Sequence, residues 1–159
     1  MTEQRMNLAE ATPEVYRAMR NLEQSIQEEL KRTGVEKEIY ELVKIRASQL
    51  NGCAFCLDMH LSDSRELGIS QQRLDVLPAW REVELYSERE RAALELAEAV
   101  TLVSESHVDD EVWQRVRETF SEAEAAVLTW AATGINSWNR LAITSRAQPP
   151  RRSRAEGAD

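Results

Sequence analysis

Both cysteines of this 159-residue chain lie in one ten-residue stretch, "NGCAFCLDMH", with one of its two histidines. Cys53 and Cys56 stand at i and i+3, and Cys56 and His60 at i and i+4. On a helix that begins at the Asn51-Gly52 break, all three project along one side. Three chemistries are open to such a set: a redox pair, a metal clamp, or two small residues packed as hydrophobes. A Cys-x-x-Cys pair at a helix start favours the first. Free backbone N–H groups and the positive end of the helix dipole stabilise a thiolate there, and thiolate is the form that attacks peroxides and disulfides. On static electrostatics alone, Cys53 at the helix start is the lower-pKa thiol. His60 can accept or pass on a proton, since imidazole titrates near neutral pH.

A metal site is the weaker reading. Cys53, Cys56 and His60 supply three ligands, but one-turn spacing on a single helix makes tetrahedral closure awkward. The other histidine, His107 in "VSESHVDDEV", is far away in sequence and reads as a solvated loop residue.

A proton relay needs a base, and the preceding segment "EKEIYELVKIRASQL" offers candidates. If two helices fold back about residues 51 and 52, position 60 lies opposite position 43. Glu41, Lys44 and Ser48 are then the polar residues within reach, and only Glu41 can act as an anionic base. Its place beside Leu42 and Ile45 suggests partial burial, which would raise its pKa toward the working range. Tyr40 borders the same region. Asp58 and Asp63, on the motif helix, are expected to face water.

The elements that must position these groups are all helical by pattern. Glycine (five) and proline (four) are scarce, which disfavours a turn-rich sandwich or barrel. Thr12 as N-cap, Pro13 at the first position and Gly34 past the end bracket a first helix with the stripe Val15, Met19, Leu22, Ile26, Leu30. A second helix carries Ile39, Leu42, Val43, Ala47 and Leu50 on one side. The motif helix runs from about Ala54 to Glu66 and ends at Gly68. A short helix from Ser70 bends or stops near Pro78. Ser87 with Glu90, and Ser121 with Glu124, are capping boxes before two further helices. Asp109 or Asp110 starts the helix between them, which bears Trp113. The last helix, from "AAVLTWAATG" onward, is apolar around much of its girth and reads as central and buried. Trp130 and Trp138 belong there to core or subunit contact, and Asn136, Asn139 and Arg140 to an interface.

The expectation is an all-α single domain of six or seven helices. It divides into an N-terminal helix (1–34), a redox-active helical domain (35–146) and a disordered polar tail (147–159). A net charge of −8, from 28 acidic and 20 basic residues, disfavours nucleic acid as partner. The lack of an apolar run long enough to span a membrane, and of a signal peptide, points to the cytoplasm. In that compartment a purely structural disulfide is disfavoured. No Gly-rich phosphate loop is found, and no metal, flavin or nucleotide is required.

The segment "ELVKIRASQLNGCAFCLDMHLSDSRELG" resembles the alkylhydroperoxidase D-like (AhpD-like) proteins of the carboxymuconolactone decarboxylase superfamily, through Glu-x11-Cys-x-x-Cys-x-x-x-His. The likeness extends over about residues 35–146, including "WREVELYSERERAALELAEAVT" and "INSWNRLAI". It implies an all-helical fold assembling as trimers or hexamers, and a thiol peroxidase. In that family Cys56 would be peroxidatic, Cys53 resolving, and Glu41 (general base) and His60 the proton relay. The reductant would be a dithiol, on a lipoyl-protein or a thioredoxin-like protein. Better-studied members often carry a further histidine before the second cysteine; this chain has Phe55 there. Two rival functions follow from the same residues: a redox-sensing stress-response protein or disulfide reductase, and an isomerase or hydrolase working through Glu41 and His60 without the thiols.

Overall fold

The computed structural model describes residues 3–151, which form helices and connecting turns with no strand among them. The helices are α1 (Leu8–Ala11), α2 (Pro13–Thr33), α3 (Lys37–Asn51), α4 (Ala54–Glu66), α5 (Gln71–Val76), α6 (Glu88–Thr101), α7 (Val103–Ser106), α8 (Asp110–Thr119) and α9 (Glu122–Ser145). A 3-10 segment, Leu77–Glu82, continues α5 past Pro78 and kinks at Ala79. The excess over the six or seven helices expected comes from α1 and α7, four residues each. Turns that short carry no periodicity from which to read them. The polar tail expected from residue 147 lies, beyond residue 151, outside the described residues.

Local chemistry sets the boundaries. Ser87–Glu90 and Ser121–Glu124 both close reciprocal capping boxes, and Asp109 accepts from the Val112 N–H to open α8. Thr12 holds the N-cap position of α2, but its hydroxyl donates back to Leu8 O at 3.2 Å instead of capping.

At the centre lies α3, which packs against α4, α6 and α9. Its residues enter three apolar clusters. Ile39, Tyr40 and Val43 join Ile26, Leu96 and Leu128; Leu42 and Ile45 join Leu74, Leu77, Trp80 and Leu94; Ala47 joins Cys53, Cys56 and Ile135. Past its exposed first turn, α3 is covered by its neighbours, so its mid-helix charges, Glu41 and Lys44, are buried with it. The sequence pattern had given that central role to α9 alone. That helix does supply the buried Leu128, Ala132 and Asn139, yet its far side leaves Trp130 55 % exposed. Gly134 of α9 faces α2 so closely that a Cβ there would stand 3.2 Å from Ile26 Cδ1. The N-terminal half of the α2 stripe does not reach the core: Val15 is exposed, while Ile26 and Leu30 are buried.

Candidate active site

The reversal between α3 and α4 is built by Gly52, whose φ of 69° lies in the left-handed region that side chains disfavour. Gly52 N donates to Gln49 O and Cys53 N to Ser48 O, so the last carbonyls of α3 are satisfied in a Schellman-type end. Asn51 anchors this turn. Its amide donates to Asn136 Oδ1 (2.8 Å) and Asn139 Oδ1 (2.9 Å), and Asn139 donates to Ser48 Oγ (3.0 Å). Asn136 in turn donates to Thr101 Oγ1 at 2.9 Å. The two α9 asparagines, expected at an interface, are buried and brace the redox turn instead. An Asn at an apolar helix position with another Asn three residues on was the available signal for such a network.

Cys53 is the N-cap of α4, and its sulfur accepts from the Cys56 N–H at 3.4 Å. The two cysteines form a disulfide across a Cα–Cα distance of 5.4 Å. Both are buried, at 1 % and 2 % exposure, beside Ala47 and Ile135, with Phe55, Trp138 and Ala142 packed around them. Trp138 meets Tyr16 of α2 edge-on, at 5.6 Å between ring centroids.

His60 follows one turn after Cys56 on the buried side of α4. Its Nδ1 lies 3.2 Å from Glu41 Oε2, off the line of a hydrogen bond, so both buried atoms remain without a hydrogen-bond partner. The other oxygen, Glu41 Oε1, is held by Lys44 Nζ at 2.7 Å. The Lys44 ammonium also sits 4.0 Å above the Tyr40 ring, and the Tyr40 hydroxyl donates to Glu23 Oε1 at 2.5 Å. Burial pushes the Glu41 carboxyl up, but His60 and Lys44 together outweigh it and hold the group below the usual carboxylate range. The rise expected from burial is therefore reversed, by His60 and by the Lys44 cation one turn along the same helix. Lys44, one of the three polar candidates on α3, thus acts as the partner of Glu41.

Asp63 faces water, as expected, and also reaches toward the site. It is half-exposed, and its Oδ2 stands 3.9 Å from His60 Nδ1. Glu41, His60 and Asp63 thus bring ligand-type atoms within 4.8 Å of one another; any cation placed there would meet the Lys44 ammonium already paired to Glu41. His107 lies apart, exposed in the α7–α8 connection.

Residues 13–99 match the carboxymuconolactone decarboxylase family. The chain belongs to that family. A curated relative, the uncharacterized protein YdfG of Bacillus subtilis, is 44 % identical over 88 % of this chain and 92 % of its own length. Among solved structures, a protein of unknown function from Agrobacterium tumefaciens, ATU0492, is 40 % identical with a TM-score of 0.88, covering 94 % of this chain and 100 % of that one. That protein is a candidate antioxidant defence protein AhpD. An uncharacterized peroxidase-related protein with an alkylhydroperoxidase AhpD core, from Ralstonia eutropha, shares the fold at a TM-score of 0.77 and 24 % identity, over 90 % of this chain and 74 % of its own. Within the carboxymuconolactone decarboxylase family, this chain has the AhpD-like fold. No helix among the described residues is long and apolar enough to cross a membrane.

Proposed function

We propose that this protein is a thiol-dependent peroxidase that cycles Cys53 and Cys56 between dithiol and disulfide. The observation that carries the reading is the Cys53–Cys56 disulfide at the start of α4, with His60 one turn on and Glu41 beside His60. In the oxidative half, the Cys56 thiolate attacks the terminal oxygen of a hydroperoxide. The O–O bond breaks, His60 returns a proton to the leaving alkoxide, and Cys56 becomes a sulfenic acid. Cys53 attacks that sulfur, hydroxide leaves as water, and the disulfide closes. An external dithiol, on a lipoyl-protein or a thioredoxin-like protein, reduces it again. Glu41, held anionic by His60 and Lys44, orients the imidazole. Phe55 and Trp138 give the sulfurs an apolar surround suited to an organic hydroperoxide.

Association of copies belongs to the same proposal, as a trimer or hexamer. A groove of about 310 Å³ between α2 and α9, lined by Leu22, Ile26, Val127 and Trp130, leaves apolar surface that a second copy would cover.

One observation favours the alternative of a redox sensor with little turnover: both sulfurs are buried, so a bulky dithiol reaches them only after local opening. A single experiment addresses the catalytic reading. Hydroperoxide consumption with dithiothreitol as reductant should be lost once both reduced thiols have been alkylated. Turnover that survives alkylation would contradict the thiol mechanism and point to Glu41 and His60 acting alone.

A further inference from the structure

His60 Nδ1 stands between two carboxylates in opposite surroundings. Glu41 Oε2, at 3.2 Å, is buried, and the other oxygen of that carboxylate is occupied by Lys44. Asp63 Oδ2, at 3.9 Å, belongs to a side chain 51 % exposed. The inner carboxylate, 6 % exposed, is shielded from water and held in an ion pair. The outer one reaches both solvent and the imidazole, and its gap to Nδ1 is closed by a small side-chain rotation or by one water.

A disulfide site that closes again around its thiolates gives such a path a use. On the proposed function, Cys53–Cys56 is a reversible couple. In its reduction, a donor thiolate attacks one sulfur, the protein S–S bond breaks, and one protein thiolate leaves. The donor's second thiolate then closes the donor disulfide and releases the second protein thiolate. Two electrons have entered the protein, and the two donor thiols have lost their protons to solvent. The protons that restore neutral thiols must come back in, and both sulfurs are shielded from water.

We propose that Asp63 is the outer member of the relay, carrying protons between solvent and His60 while the disulfide is reduced. It acts through His60 and touches neither sulfur. Glu41 and Lys44 fix the imidazole from the inside, and Asp63 exchanges its proton from the outside. The sequence spacing fits, since residues 60 and 63 share one face of α4 at i and i+3.

The test is the rate at which dithiothreitol reduces the oxidised protein in dilute, weakly acting buffer, followed by stopped flow. Asp63→Asn should slow this step by roughly tenfold or more, the scale of a lost proton-transfer group. Added imidazole should restore the rate in proportion to its concentration, and Asp63→Glu should react close to wild type. A wild-type rate in Asp63→Asn, or a loss that imidazole leaves unchanged, would overturn the proposal. Because no peroxide enters the measurement, its outcome is independent of whether the protein turns over hydroperoxides.

Discussion

Replacing Cys56 with serine is expected to lower hydroperoxide turnover on the order of 10³-fold or more, as the loss of a covalent nucleophile does. A serine hydroxyl does not ionise at neutral pH, so no anion remains beside His60 to attack the peroxide. Cys53→Ser should behave differently. Its Cys56 still attacks once, but the sulfenic acid finds no thiol at the N-cap position and accumulates, where dimedone traps it. Steady-state rates then fall in both variants, while only Cys53→Ser shows a stoichiometric first turnover. This asymmetry separates the assignment of Cys56 as the attacking residue from the opposite one, which the helix-start position of Cys53 would favour. A stoichiometric burst in Cys56→Ser and none in Cys53→Ser would reverse the roles.

The second large effect concerns Lys44. Glu41 is held below the usual carboxylate range even though burial acts to raise it, because His60 and the Lys44 ammonium at 2.7 Å more than compensate. In the wild type the pairing therefore contributes stability above the ordinary carboxylate range, and loses it as pH falls through the lowered folded value. Lys44→Met removes one of the two groups that offset burial and leaves His60 alone to oppose it. The Glu41 pKa should then rise, carrying the acid limb of the pH–rate profile upward with it. At neutral pH the variant should lose on the order of tenfold or more in rate and up to about 3 kcal/mol in stability, the cost of stranding a buried carboxylate. That penalty grows as pH rises and vanishes once Glu41 is protonated in both proteins. Lys44→Arg, which keeps the cation, should restore the profile. An unshifted acid limb in Lys44→Met would show that Lys44 does not set the charge of Glu41.

What could be read from the residues was local. Gly34, Gly52 and Gly68 all fall at helix ends with positive φ, and both capping boxes close as their spacing requires, since each depends only on residues three or four apart. The meeting of Glu41 with His60 was legible for the same reason: a reversal at Asn51-Gly52 brings facing turns of two consecutive helices together. What escaped the sequence depends on all neighbours at once. The α3 stripe named five apolar positions on one side, and nothing in its period showed that α4, α6 and α9 cover the remaining sides. The burial of Lys44, and with it the direction of the Glu41 shift, follows from that coverage. The Asn51–Asn136–Asn139–Ser48 bonds join residues 85 to 91 positions apart, beyond any local pattern. Asp63 looked solvated by spacing and is half so; its approach to His60 depends on how α4 lies on α3.

The most direct measurement is to mix the fully reduced protein with one equivalent of an organic hydroperoxide and count free thiols while mapping the cysteine-bearing peptide by mass. Paired sulfurs beside a working proton acceptor predict that both thiols vanish together, that the peptide loses two hydrogens through a Cys53–Cys56 link, and that one alcohol is formed. Unchanged thiols with the hydroperoxide left intact would contradict the account.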